Sequence, residues 1–411
     1  MLTDSLSGSF NRTSLPAPAR GMVERIVRRL LARLEAGTLD IALPDGRVLS
    51  GRGSQPGPHG RLELVRWRGF LRVLFAGPTG FAEGYIRRDW TTPDLVALIA
   101  VMGLNETSFG RTVQEWPLRA WLDRRLHARN DNSRSGSRRN IMAHYDLGNA
   151  FYRLWLDRSM TYSAALYPPD GSGGLDAAQD RKMAAITRLL APETGQSVLE
   201  IGCGWGGLAT HLACAAGVSV RGLTLSEEQF VEANLRFAKA GVQHRASAHI
   251  EDYRDASGQY DRIVSIEMIE AVGEKWWPVY FAKIAALLKP GGRAVIQAIT
   301  IAPERFDAYR RRPDFIQRYI FPGGMLPTPE IIAQQANRAG LAPHCALSFG
   351  QGYALTLDEW RRRFHAATPE IAALGYPVRF RRIWDYYLAY CQAGFEIGAI
   401  DVHLITLDKP L

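Results

Sequence analysis

Apolar and polar positions follow different rhythms in the two parts of the chain. From Met22 to Leu34 the residues Met22, Val23, Ile26, Val27, Leu30, Leu31 and Leu34 recur at helical spacing, with Arg25, Arg28, Arg29 and Arg33 between them. That pattern predicts a basic amphipathic helix, which either docks on a protein core or lies against a membrane. Short β-like segments follow: Gly37 to Leu43, turning at Pro44-Asp45-Gly46 into Arg47-Val48-Leu49, then Leu62 to Val65 and Phe70 to Phe75. After the turn signal Gly77-Pro78-Thr79-Gly80 a helix is expected from Pro93 to Met102, capped by Thr92. These elements predict a small α+β domain over 20–110, preceded by a Ser- and Pro-rich mobile arm over 1–19. Residues 111–140 are basic and end in the polar run Asn130 to Arg139, and read as a basic helix followed by a linker. From 141 to 411 strands alternate with helices, the pattern of a mostly parallel sheet covered on both faces. Pro303 to Pro329 is too long for an ordinary connection, and predicts a helical cover over the site.

The second part is organised around Ser197 to Ala209, where an apolar strand runs into a glycine-dense turn and then a helix. Gly202, Gly204 and Gly207 satisfy the dinucleotide spacing, but a nicotinamide enzyme also needs an acidic residue roughly 20 positions on, at the end of the next strand. Here Val218 to Leu223 ends in Thr224-Leu225-Ser226, with no carboxylate before Glu227, which weakens that reading. Glu200, just before the first glycine, can instead fix the loop and meet the ammonium of a ligand that lacks phosphates. In this the turn resembles the S-adenosyl-L-methionine (SAM) loop of class I methyltransferases, and implies their Rossmann-like α/β fold. Ligands of such sheets bind beyond the carboxyl ends of the strands, where Gly202, Thr224, Asp252 and Glu267 fall. Glu267 either faces the pocket or pairs with an arginine.

The 411 residues suggest two or three domains, and 46% hydrophobic with 22% charged residues is ordinary for folded protein. A formal charge of +9 favours polyanions, either nucleic acid or an anionic membrane face. The basic stretch near residue 130 lacks the interleaved aromatics that stack bases, so no nucleic acid is expected. No apolar run approaches the ~20 residues of a spanning helix, and Met1 to Ser5 lack the features of a secretory signal, so a cytoplasmic protein is expected. Cys203, Cys214, Cys345 and Cys391 make no paired spacing; buried, reduced thiols are expected, and no metal site.

Several segments together resemble the cyclopropane-fatty-acyl-phospholipid synthase family, which includes the mycolic acid cyclopropane synthases. They are Ile141 to Asn149, Met160-Thr161-Tyr162-Ser163, Glu200 to Gly206, Thr224 to Gln229, Glu267 to Gly273, Tyr319 to Gly324 with Leu326-Pro327, and Gly352-Tyr353 leading to Thr356-Leu357 and Trp360. The likeness covers roughly residues 140 to 411, in order. It implies methyl transfer from SAM to the double bond of an unsaturated acyl chain of a membrane phospholipid, through a carbocation. An alkene attacks a sulfonium methyl without prior deprotonation, which agrees with the lack of a nucleophile-plus-base pair. The cation needs a dry cavity with aromatic faces, which Tyr162, Tyr167, Phe315, Tyr319, Phe321, Tyr353 and Trp360 could supply.

Carried over residue by residue, the resemblance implies SAM contacts from Tyr145, Tyr162, Ser163, Glu200, Gly202, Gly204, Thr224, Gln229, Asp252 and Tyr253. It places Glu270, Tyr353 and Gln297 at the catalytic centre, around a bound bicarbonate proposed as the family's base. Ala164 stands where most members have cysteine, Ala271 and Gln297 where bacterial members often have histidine. Losing the polar contact at Ala164 weakens a buried anion's site, so the expected product is a cyclopropane, methylated or methylene chain. The expected setting is cytoplasmic, peripheral to the inner face of the membrane, with Arg310 to Arg312, Arg361 to Arg363, Arg379, Arg381 and Arg382 favouring anionic headgroups. A homodimer is left open. Alternatives are a methyltransferase acting on an amine or a nucleic-acid base, and a lipid-associated protein that binds SAM without turnover.

Overall fold

A computed structural model describes residues 17–110 and 147–411, and the chain divides into two compact units, Met1–Arg119 and Ala120–Leu411. The basic helix and linker expected over 111–140, Tyr145, most of the first matched segment and residues 1–16 of the expected arm lie outside the described residues, and residues 17–19 of that arm belong instead to a helix.

The smaller unit opens with the helix Ala17–Leu31, which buries Val23, Val27 and Leu31 and leaves Met22 exposed. The apolar stripe thus docks on protein along one narrow edge. β1 (Ala36–Ala42) and β2 (Val48–Arg52) form the expected hairpin, and β3 (Gln55–Leu64) pairs parallel to β1 and antiparallel to β4 (Trp90–Thr91). Two further expectations fail, the first of them a strand: Phe70 to Phe75 is part of the helix Trp67–Ile86, which kinks at Gly77 (φ 53°) instead of turning there. A short apolar run does not distinguish the two periods by itself. Arg68 and Arg72, one helical turn apart, both reach the fully buried Asp89, with N–O distances of 2.6 and 2.8 Å. That pairing needs helical spacing, and a strand would not provide it. The next helix is Leu95–Leu104, and its cap is Asp94, whose side chain accepts from Ala97 N, instead of Thr92.

The larger unit holds a seven-stranded sheet ordered β10-β11-β9-β8-β5-β6-β7. Its strands are β5 (Ser197–Ile201), β6 (Ser219–Thr224), β7 (Ala246–Ile250), β8 (Tyr260–Ile266), β9 (Leu288–Ile301), β10 (Ala342–Ser348) and β11 (Ile400–Asp408). β5 to β9 run parallel, and β11 alone is reversed, antiparallel to both β9 and β10. β5 lies between β6 and β8, so the order of connection reverses at its carboxyl end, the point at which such sheets open a crevice. One core cluster joins Leu199, Ile263 and Ile296 on the strands with Tyr280, Phe281 and Ile284 of the helix Trp277–Leu287.

The expected helices after β9 are present as Pro303–Arg311 and Phe315–Tyr319, the second begun by a capping box between Asp314 and Gln317, though no residue of 303–329 lines the pocket at the glycine turn. Two further helices, Gly350–Ala366 and Val378–Glu396, pack on one another between β10 and β11 in the chain. Among the described residues no helix is long and apolar enough to cross a membrane. Cys203 is buried as expected, but Cys214 and Cys345 are exposed, because each lies on the solvent side of its element.

Candidate active site

The glycine turn after β5 opens a pocket at the carboxyl ends of β5, β6 and β8. Gly202 has φ 81°, and a Cβ there would come within 2.5 Å of Met268 Cγ, so backbone faces the pocket where no other residue fits. Tyr162, Ser163, Glu200, Gly202, Gly204, Thr224, Gln229 and Tyr253 line this pocket together. Gln229 is buried, and Thr224 Oγ1 donates to its Oε1 at 2.7 Å, so it is no solvated helix residue. Asp252 is not in the lining: Arg254 takes its carboxylate with N–O distances of 2.6 and 2.8 Å, and its neighbours Glu251 and Tyr253 face the pocket.

Two buried charges at this pocket lie close to the cofactor loop. Lys182, on the helix Leu175–Leu190, donates from Nζ to Ser163 Oγ at 2.6 Å, and Gln179 of the same helix donates to Ser163 O at 2.9 Å. Both are fully buried. Glu200 accepts from the backbone of Ala209, while its Oε2 is buried without a partner. Burial pushes the Glu200 carboxyl up and pulls the Lys182 ammonium down, since either charge is poorly solvated there. An unmet carboxylate oxygen on a residue that lines a glycine-rich pocket suits a ligand bearing an ammonium, so the residues present fit SAM. Lys182 and Gln179 escaped sequence reasoning. The available signal was a lysine at an apolar position of a helix that also carries Ala178, Met183, Ile186 and Leu190.

The expected catalytic residues meet at Glu267. This residue follows β8 with φ 50°, a backbone state rare outside glycine and costing about 1–3 kcal/mol. Its Oε1 accepts from Ala164 N at 2.8 Å and from Gln297 Nε2 at 2.7 Å, and its Oε2 accepts from Tyr353 OH at 2.7 Å. Among the described residues no arginine pairs with it. The turn that presents Ala164 is held by Asp157, which accepts from Ser159 N and Thr161 N, and by Ala165 N donating to Thr356 Oγ1 at 3.0 Å. Glu270, three residues on, accepts from Ile299 N, and its Oε2 is buried without a partner. Burial, with the Glu267 charge next to it, pushes the Glu270 carboxyl up to about 8.

A bound bicarbonate does not fit this arrangement. The donors expected around it, Tyr353 and Gln297, already serve Glu267, and the backbone N–H at 164 does so too. A second anion beside an ionised carboxylate in the same dry space would be repelled.

Of the expected aromatics, Tyr162, Trp360 and Tyr353 form one connected set, with centroids 5.3 Å apart for the first pair and 6.0 Å for the second. Tyr152 and Trp155 extend it, and Tyr162 OH meets Tyr387 OH at 2.7 Å. Phe321 joins through Tyr387 at 6.2 Å. Phe315 and Tyr319 belong to a separate stack with Tyr386 and Tyr390.

Sheet order, glycine turn and the unmet Glu200 oxygen together define a class I SAM-dependent methyltransferase. Residues 132–405 match the family model described as mycolic acid cyclopropane synthetase. The chain is 38% identical over 407 residues to a tuberculostearic acid methyltransferase of Mycobacterium tuberculosis, an alignment spanning 96% of this chain and 93% of that protein. It is 36% identical over 357 residues to the cyclopropane-fatty-acyl-phospholipid synthase of Escherichia coli K12, covering 83% and 85%. Among solved structures, a mycolic acid cyclopropane synthase complexed with SAH and CTAB superposes with a TM-score of 0.62 at 30% identity, over 66% of this chain and 98% of that one. The chain belongs to the mycolic acid cyclopropane synthetase family, and is a SAM-dependent methyltransferase of that lipid-modifying group.

Proposed function

We propose that the protein methylates the double bond of an unsaturated fatty acyl chain carried by a membrane phospholipid, leaving a cyclopropane, methyl-branched or methylene chain. The observation that carries this reading is the position of Tyr162, which lines the glycine-loop pocket and also begins the aromatic series leading through Trp360 to Tyr353. A cation generated at that junction meets ring faces, each contributing up to about 2 kcal/mol when water is excluded. SAM, when bound, supplies an electrophilic methyl group and keeps the electron pair of the broken C–S bond.

The chain's own residues divide the remaining work. Glu200 and the backbone at Gly202 and Gly204 hold the amino-acid end of the cofactor, with Tyr162, Ser163, Thr224, Gln229 and Tyr253 around it. Lys182 fixes Ser163 and offsets the carboxylates nearby. Glu270, Gln297 and Tyr353 close the catalytic end, Gln297 and Tyr353 through their hydrogen bonds to Glu267.

The names of the relatives support an acyl substrate, and the +9 charge supports a place at the cytoplasmic face of an anionic membrane. Part of the expected headgroup surface is already engaged: Arg361 pairs with Asp385, Arg362 and Arg363 with Glu359, and Arg310 with Glu274. The test is incubation of the full chain with monounsaturated phospholipid vesicles and methyl-labelled SAM, followed by mass spectrometry of the acyl chains. Labelled acyl chains are expected, formed less readily as salt rises. Label transferred only to polyamine or RNA would refute the reading.

A further inference from the structure

We infer that the carboxylate of Glu267 is the proton acceptor that ends the reaction, an internal base standing where a dissolved anion would otherwise be needed. The inference rests on the acyl-methylation reading above.

Four observations place the task on this residue. Glu267 lines the pocket together with Tyr162, Gly202 and Met268, so it borders the space where the methyl group is delivered. An ionised carboxylate offers about four acceptor sites. Three are used, by Ala164 N, Gln297 Nε2 and Tyr353 OH, which hold both oxygens in place and leave capacity for one further hydrogen. The residue is kept in a left-handed backbone state, a cost tolerated where the surroundings over-determine a functional geometry. Finally, neighbouring groups are unsuited: Gln297 does not titrate, Tyr353 donates its hydrogen bond to Glu267, and Glu270 is met by backbone N–H groups alone and has an unmet oxygen in a buried place. Of two adjacent carboxyls, the one with three donors keeps the charge. Burial nevertheless raises the Glu267 carboxyl above its ordinary value, against the pull of its hydrogen bonds and of Lys182, which makes it a stronger base than a solvated carboxylate.

The step balances without an oxidant or reductant. Once the alkene has gained a methyl group, one former alkene carbon is electron-poor. A C–H pair of the new methyl group moves to that carbon and closes the ring, while its proton goes to Glu267, which becomes a neutral carboxylic acid until solvent takes the proton. If hydride first shifts between the two carbons, the same C–H pair forms an exocyclic double bond. Either way one methyl hydrogen is lost.

The test uses the full chain, monounsaturated phospholipid vesicles and SAM bearing a CD3 group, with and without carbon dioxide and bicarbonate removed from the buffer. Wild-type protein is expected to turn over equally in both and to lose one deuterium. Glu267→Gln is expected to bind SAM normally by calorimetry and to turn over about 100-fold more slowly, the scale of a lost general base. Its residual product should retain all three deuteriums, because the cation then loses a proton elsewhere or captures water. Glu267→Asp should recover part of the rate, and Glu267→Ala should recover rate on addition of formate. A merely structural role would not redirect the label. The inference is overturned if wild-type activity collapses without bicarbonate and returns with it, a result that decides the matter even if the variants fail to fold. It is equally overturned if Glu267→Gln keeps wild-type rate and loses one deuterium. SAM binding with no labelled lipid in any arm would instead overturn the proposed substrate, and this inference with it.

Discussion

Each unit buries carboxylates, and they are treated in opposite ways. In the smaller unit Asp89 is fully buried and both its oxygens are taken, by Arg68 and Arg72 at hydrogen-bond distance with Arg66 at 3.7 Å. In the larger unit Glu200 and Glu270 each leave an oxygen with no partner among the described residues; Glu200 lines the pocket, and Glu270 follows three residues after Glu267, which lines it too. A folded chain rarely leaves a buried polar atom unmet, since the missing bond costs about 1–3 kcal/mol. Asp89 therefore holds a fold together, whereas the glutamates keep capacity for something that binds. A buried carboxyl with an unmet oxygen points to a bound group, whereas one with both oxygens taken, as at Asp89 and Glu267, is judged by whether it borders a cavity, which Glu267 does.

The largest effect that would sharpen the contrast is loss of Asp89. Asp89→Ala removes the buried acceptor of Arg68 and Arg72, whose partly exposed guanidiniums can turn to water, and should cost about 1.5–3 kcal/mol, the scale of hydrogen bonds to a charged group. Urea unfolding measures it, and a loss below about 1 kcal/mol would show that the small unit does not depend on the pair. Glu200→Gln should do the reverse. SAM affinity is expected to fall about tenfold, or 1.4 kcal/mol, while stability stays level or improves.

The same variant carries a pH signature. Burial pushes Glu200 up to about 8 from 4.5, so between those values the folded chain holds a proton that the unfolded chain releases. Stability from this group therefore falls as pH rises through that window. The difference in urea midpoint should accordingly grow in favour of Glu200→Gln from pH 5 to pH 8; a difference independent of pH would mean the carboxyl is not desolvated. At the small end, Arg362→Ala breaks an exposed i,i+3 pair with Glu359 and should leave the midpoint unmoved. A clear loss there would remove the distinction between surface and buried charges.

Much of the larger unit was legible. Strand periods, the glycine turn and the carboxylate before it are local signals; β5 and β6 fall close to where apolar runs placed them, and β7 and β8 end just before Asp252 and Glu267. Tyr162, Ser163, Thr224, Gln229 and Tyr253 converge on one pocket because each follows a strand end or a matched turn. The smaller unit was read less well. Phe70 to Phe75 looks like a strand until Arg68 and Arg72 are seen to share Asp89, and Thr92 looks like a cap until Asp94 is seen to bond Ala97 N. Lys182 was missed because a lysine on a helix is ordinarily solvated, and its burial depends on Ser163 from another segment.

The glutamates of Glu267-Met268-Ile269-Glu270 show where sequence stops and tertiary structure begins. Residue order alone supplies two carboxyls three positions apart at a strand end, next to a glycine loop that suits a methyl donor. It does not say which of the two carries charge. That is decided by Ala164, Gln297 and Tyr353, which lie 103, 30 and 86 residues from Glu267 and bond to it only because the sheet and its helical cover bring them there. Local spacing controls what a segment can present. The ionisation state of a buried carboxyl is set by donors and dielectric, and both come from distant parts of the chain.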